Sequence, residues 1–395
     1  MGKNKSVAYA LAGFCLISLF FSCNSTSKNQ IGEHKIERYS INPEATTLGI
    51  KNSQYSVDSI CSLSLPDDIA EIGVDKISVV NGCVYILDTY ITKKLYIFDS
   101  NGNLKTVIGE RGNAKGEFAG KPDEFFVDSN NKLHVFDEIG HRINVFKPDG
   151  SIDHVIKTSE FFPQSFGLTS NDRYMMYFTV GHKGENTANE TPAALLLLDQ
   201  NCKKYKDLMS SEGDSFCNIS NHTFFQDCGR LSFIPSFSDS VIVFKNDTVE
   251  KVVSFDFGGR VLCKEMPEAR IQDEGHSFME NYQGMLGLSR YQETNSLIYL
   301  EYIYKECGLY WLYNKNNGQT AYGNNLFEGV NPYSYFCLNE NQIIAYVDDK
   351  IVNDFKQYYH NKAFQDNLNK SPKQMKDIME GKIKVPALFF ITIKE

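Results

Sequence analysis

Apolar and polar residues alternate in short runs, and the runs repeat. "VYILDTYITKKLYIFDSNGNLKTVIG" (84–109) aligns with "LHVFDEIGHRINVFKPDGSIDHVIK" (133–157). Each begins with an alternating run that ends in an acid, Asp88 or Asp137. A short polar loop follows, then a second apolar run ending at Phe98 or Phe146, a Gly-containing turn and a third short run. Period-two alternation over four to eight residues is the signature of a half-buried strand. Upstream of each copy stands one more such run, "KISVV" (76–80) before Asn-Gly and "EFFVD" (124–128) before "SNN". Asn-Gly between apolar runs marks a tight hairpin. The pattern therefore predicts four antiparallel strands per unit.

Weaker copies of the second hairpin recur at 193–209, 239–258 and 306–323, the last preceded by "LIYLEYIY" (297–304). A hairpin at 334–348 and a lone strand at 387–395 make an incomplete unit of three strands. The orphan run "YSVDSICSLSL" (55–65) supplies the missing fourth. Sheets of this kind cannot bury both faces alone, so neighbours stack around an axis. The expected fold is all-β: a six-bladed β-propeller of four-stranded antiparallel blades, the ring closed by the N-terminal strand. A two-domain β protein or an open solenoid is the alternative. Polar stretches at 181–192, 257–291 and 353–383 interrupt the ring, the last two with short-helix character.

The link "GERGNAKGEFAGKPDEFFVD" (109–128) and the first two units resemble NHL-type repeats. Ahead of the propeller, Lys3 and Lys5 precede an apolar run from Ala8 to Phe21. That run is shorter than the about 20 residues a bilayer span needs and suits a signal peptide. It ends in "LFFSC", which resembles the lipobox of bacterial lipoproteins, with Cys23 as the acylated residue. Together these features resemble the six-bladed propeller lipoproteins of Bacteroidetes. The resemblance implies a signal peptide over 1–22, a tether over 23–50 and the propeller over 51–395. It implies a lipid anchor in the cell envelope, at the outer membrane, and the lack of an acidic run after Cys23 favours its periplasmic side.

Composition narrows the function. Net charge is −9 with no sustained basic stretch. Nucleic-acid binding needs clustered Lys and Arg, so no nucleic-acid partner is expected. The 28 Phe and 22 Tyr suit strands and stacked blades. No Cys-x-x-Cys occurs among ten cysteines, and Cys217 and Cys228 are close enough in sequence to pair. Eight histidines show no metal-binding spacing, so neither a metal nor another cofactor is expected.

Asp88 and Asp137 recur with the repeat and read either as loop-capping acids or as a ring of acids binding a cation. The loop and link between blades open on one face. There Arg111, Lys115, Glu117, Phe118, His141 and Arg142 offer charge-assisted hydrogen bonds and stacking to a glycan or anionic ligand. The leading expectation is a binding or scaffold protein for a glycan, peptide or protein. The rival is a lyase or hydrolase with its site in the axial pocket. Acids and histidines converging on the axis favour the enzyme.

Overall fold

The computed structural model describes residues 34–45, 47–158, 163–182, 193–210, 222–259, 261 and 282–394. Two strands precede the repeats, β1 (Lys35–Ser40) and β2 (Tyr55–Ser62). Blade I holds β3 (Lys76–Val80), β4 (Cys83–Asp88), β5 (Lys94–Phe98) and β6 (Leu104–Ile108). Blade II holds β7 (Glu124–Val127), β8 (Leu133–Asp137), β9 (Arg142–Phe146) and β10 (Ile152–Lys157). Blade III holds β11 (Ser165–Leu168), β12 (Tyr174–His182), β13 (Ala193–Leu198) and β14 (Lys204–Ser210). Blade IV holds β15 (Phe224–Asp227), β16 (Arg230–Phe233), β17 (Ser240–Lys245) and β18 (Thr248–Asp256). Blade V holds β19 (Met285–Glu293), β20 (Leu297–Tyr304), β21 (Cys307–Asn314) and β22 (Thr320–Gly323). Blade VI holds β23 (Tyr333–Asn339), β24 (Gln342–Val347) and β25 (Ala387–Ile393), with β2 as its outermost strand. This is the expected six-bladed propeller. β2 runs antiparallel to β25, so the N-terminal strand closes the ring.

Closure is locked from blade I. Gly102, in the turn between β5 and β6, has φ +81°, and its carbonyl accepts the Ser64 N–H at 2.9 Å. A Cβ there would stand 2.1 Å from the Ser62 carbonyl oxygen. Glycine thus meets both the left-handed backbone and the close approach of the closing strand. Between blades, aromatic side chains fill the wedge. Phe166 of blade III meets Phe126 and Phe136 of blade II, and Phe336 of blade VI meets Tyr299 and Tyr310 of blade V. Burying such a ring fully contributes roughly 1.5–3 kcal/mol.

Three boundaries differ from expectation. The stretch 23–50, expected to be a tether, holds a strand from Lys35. β1 adds a fifth, parallel strand to the outside of blade IV. Ile41 and Ile50 are buried, and bridges tie Leu48 to Tyr322 of blade V and Ile50 to Phe327 in the link that follows it. Alternation in "KIERYS" is the signal for this strand, but parallel pairing to a strand 216 residues later leaves no local trace. The insertion expected over 257–291 ends earlier, because β19 begins at Met285; residues 262–281 lie outside the described residues, as do 183–192.

The insertion expected over 353–383 starts sooner and holds three helices, α1 (Asp349–Lys356), α2 (Lys362–Leu368) and α3 (Lys373–Met379), between the second and third strands of blade VI. Asp348 and Asn361 cap the first two by accepting backbone N–H groups. Val352, Leu368, Met375, Ile378 and Met379 are buried in one cluster with Leu326, Phe327 and Val330. The helices thus pack on the link between blades V and VI, and Ser371 Oγ accepts the Val330 N–H at 2.7 Å.

Candidate functional site: the axial cavity

Antiparallel blades give the ring two ends. Loops joining second and third strands share one end with the links between blades. Hairpin turns joining first to second and third to fourth strands share the other.

The residues expected to bind ligand all lie at the link end. Asp88 accepts the N–H groups of Tyr90, Ile91 and Thr92 from its own loop, and of Gly73 from the incoming link. Asp137 accepts from Gly140 in its loop, Ala119 and Gly120 in the link, and the Arg142 Nε at 3.1 Å. Both acids are buried. Each clamps a loop to a link, so of the two readings the loop-capping one describes them. A second pair repeats beside them. Asp75 accepts from Thr89 N and Asp123 from Glu138 N, the residues that follow Asp88 and Asp137. Burial pushes the Asp123 carboxyl up to about 6. Their signal was the shared position just before β3 and β7.

Arg142 is spent on structure: beyond Asp137, its guanidinium donates to the carbonyls of Gly112, Asn113 and Glu117. Phe118 is fully buried and stacks with Phe146. His141, at φ +47°, is half-buried, and its carbonyl accepts the Thr158 N–H. Arg111 and Lys115 are exposed. The structure therefore brings Asp137, Phe118 and Arg142 together as a structural staple; the Arg111 backbone bridges to Phe118, but the Arg111 and Lys115 side chains stay on the surface. Cys228 is an exposed free thiol, and its expected partner Cys217 lies outside the described residues.

A cavity of about 500 Å³ follows the axis and opens at the hairpin-turn end. All six blades frame it, through segments such as Lys76–Asn81, Phe125–Ser129, Ser170, Asp227, Gln292 and Glu340. The innermost strands present their ends here, which is why residues far apart in sequence converge. At the cavity's inner end Lys76 Nζ donates to Glu124 Oε1 at 2.6 Å and to the Phe125 carbonyl at 3.0 Å, over the face of Phe126 at 3.8 Å. His222 Nδ1 lies 2.8 Å from Glu124 Oε2. Burial works against the Glu124 charge, but Lys76 and His222 outweigh it and hold its carboxyl below the usual range.

Nearer the mouth, Gln292 Nε2 donates to Asp227 Oδ1 at 3.3 Å while its own oxygen accepts the Leu338 N–H. Asp227 Oδ2 is buried and has no hydrogen-bond partner among the described residues. Burial pushes this carboxyl up to about 7, against the pull of the Glu293 backbone and Lys76. Among the described residues, no group of three or more His, Cys, Asp or Glu side chains is placed to hold a metal ion. The local cues to the cavity residues are hairpin turns, "NG" (81–82), "SNN" (129–131) and "DCG" (227–229), none of which names a chemistry.

A family model, the Domain of unknown function (DUF4934), matches residues 69–381, which spans the blades from the first link to the helical insertion. The chain belongs to the DUF4934 family. A solved structure of a putative exported protein from Bacteroides fragilis superposes with a TM-score of 0.69 at 16% identity, covering 91% of this chain and 100% of that one. A member of the DUF4221 family from Bacteroides vulgatus has a TM-score of 0.47 at 9% identity, covering 86% and 97%. Virginiamycin B lyase from Staphylococcus aureus has a TM-score of 0.40 at 9% identity, covering 86% and 99%. No curated protein matches the sequence significantly. At 16% identity the likeness to the Bacteroides fragilis protein bears on the fold alone.

Proposed function

We propose that this DUF4934 protein is a lipid-anchored binding protein of the bacterial envelope that holds a ligand in its axial cavity. The observation that carries this reading is the cavity itself, framed by all six blades and polar at both ends. Pockets of about 300–1,000 Å³ with a few placed polar groups are typical small-ligand sites. The NHL-like spacing and the "LFFSC" motif support the anchored, propeller-lipoprotein part of the reading. β1 runs parallel to β18, away from the hairpin-turn end, so the chain enters the propeller from the cavity's side. Cys23 precedes Lys35 by 12 residues, a reach of at most about 43 Å at full extension. An acylated Cys23 would then attach the chain on the cavity's side of the propeller.

The test is a ligand screen by thermal shift, since a ligand that binds only the folded state raises Tm. Two variants locate any hit. Ser170→Trp places a bulky ring at the cavity mouth, and a double Arg111→Glu, Lys115→Glu change alters the link end. A ligand lost with the first and kept with the second supports the cavity. The reverse pattern moves the site to the link end.

A second reading, lyase or hydrolase chemistry at the axis, draws on the Glu124–His222 contact beside Lys76, an imidazole oriented by a carboxylate as in acid–base pairs. It requires turnover of the bound ligand that disappears in His222→Gln.

A further inference from the structure

We infer that the axial cavity receives the ammonium end of an organic cation, a lysine side chain or a similar primary amine, against the Asp227 carboxyl. The inference rests on the cavity-ligand reading and goes on to name the ligand's chemistry. Charge around the cavity is one-sided. Asp128, Asp172, Asp227 and Glu340 line it with a single base, Lys76, and that base is already paired with Glu124. The other buried charges nearby are matched. Glu293 takes Lys251 at 2.7 Å, Lys315 at 2.5 Å and the Tyr291 hydroxyl. Arg290 donates to Glu301 and to the Phe336 carbonyl. Asp128 accepts from Lys132 N and Asn130 N and lies 3.2 Å from His134 Nε2, and Asp172 accepts from Ser129.

Asp227 is the exception. Its carboxyl has the Gln292 amide on Oδ1 and the pull of the Glu293 backbone N–H, while Oδ2 is buried with no hydrogen-bond partner among the described residues. A buried carboxylate in that state is costly until a proton or a cation reaches it. Burial raises its pKa to about 7, so near neutrality a proton competes for this carboxyl. The charged or titratable groups around it are Lys76 of blade I, Cys228 and Arg230 of its own hairpin, Glu293 of blade V and Cys337 of blade VI. Two of them are cations, and both are committed elsewhere: Lys76 to Glu124 and Arg230 to Glu250 at 2.6 Å. An ammonium on a flexible stem supplies the missing cation and displaces the proton. An anion would face four carboxylates.

The experiment is isothermal titration of the full-length protein with two probes, Nα-acetyl-lysine methylamide and its Nε-acetylated twin. The twins differ in the positive charge and the small acetyl cap. The ammonium probe should bind at least about tenfold more tightly than its twin, the usual scale of a charge-assisted hydrogen bond. Asp227→Asn should remove that preference while the variant melts cooperatively. Affinity for the ammonium should fall about tenfold between pH 8 and pH 6, as the ionised fraction of a group titrating near 7 falls. Equal binding of the twins, a preference that survives Asp227→Asn, or binding of neither overturns the inference. The cavity reading fails separately, on a ligand that Ser170→Trp does not block.

Discussion

The two ends of the propeller use the same residue types for opposite purposes. At the link end, acids are saturated. Asp88 and Asp137 each accept several backbone N–H groups, and Arg142 has donors on four acceptors. At the hairpin-turn end, Asp227 keeps one buried oxygen without a partner among the described residues. Satisfied polar groups fix a loop, whereas an unsatisfied one leaves interaction energy for something else. Charge and exposure alone do not separate these cases. A loop rich in Arg, His and Phe looks like a binding face until its hydrogen bonds are followed.

The largest effect that would sharpen this contrast is at the inner end of the cavity. Glu124→Ala strips Lys76 of its counter-ion while leaving it buried, and should destabilise by about 3–5 kcal/mol in denaturant unfolding. A loss under 1 kcal/mol would mean that the ion pair is solvated. Asp227→Asn should do the reverse. The folded-state pKa of Asp227 is raised, so its contribution to stability is present at low pH and is lost as pH rises through about 7. The variant should therefore be more stable than the parent at pH 8, by roughly 2–4 kcal/mol, with the gain vanishing towards pH 4. A loss at pH 8 would break the contrast, because Asp227 would then behave like Asp137.

Asp137→Ala should cost about 1–3 kcal/mol by orphaning the link N–H groups, and Asp88→Ala a similar amount. Melting curves of both variants check this, and an unchanged Tm in either would remove the clamp role. The smallest effect is expected at Arg111 and Lys115, where alanine should shift stability by no more than about 0.5 kcal/mol. A larger shift in unfolding would show that these exposed side chains carry structure.

Much of this architecture was readable before any coordinates. Strands 84–88, 95–98, 133–137 and 143–146 stand where alternation put them, because side-chain alternation is a local consequence of the pleat. The closing role of 55–62 followed from counting, since a three-stranded unit and an orphan strand complete one another. The first hairpin of blade IV, 224–233, is harder to read, because its strands are only four residues each and offer too few positions to establish a period. β1 was missed for a different reason. A parallel edge strand is identified by its partner, and that partner lies beyond the horizon of any local pattern. The link-end candidates were legible as residues but not as roles. Arg142 and Phe118 reveal their use only through the carbonyls and rings that the fold brings to them.

By itself the sequence determined the strand period, the four-strand unit, the number of blades and the closure. Each depends on residues near one another or on a repeat that copies the same local rule. The tertiary structure alone decided where the chemistry gathers. The cavity takes residues from all six blades, and Asp227, Gln292, Lys76 and Glu124 meet only because the innermost strands converge on one axis. Whether a carboxylate there is satisfied depends on geometry across blades, which no run of residues encodes.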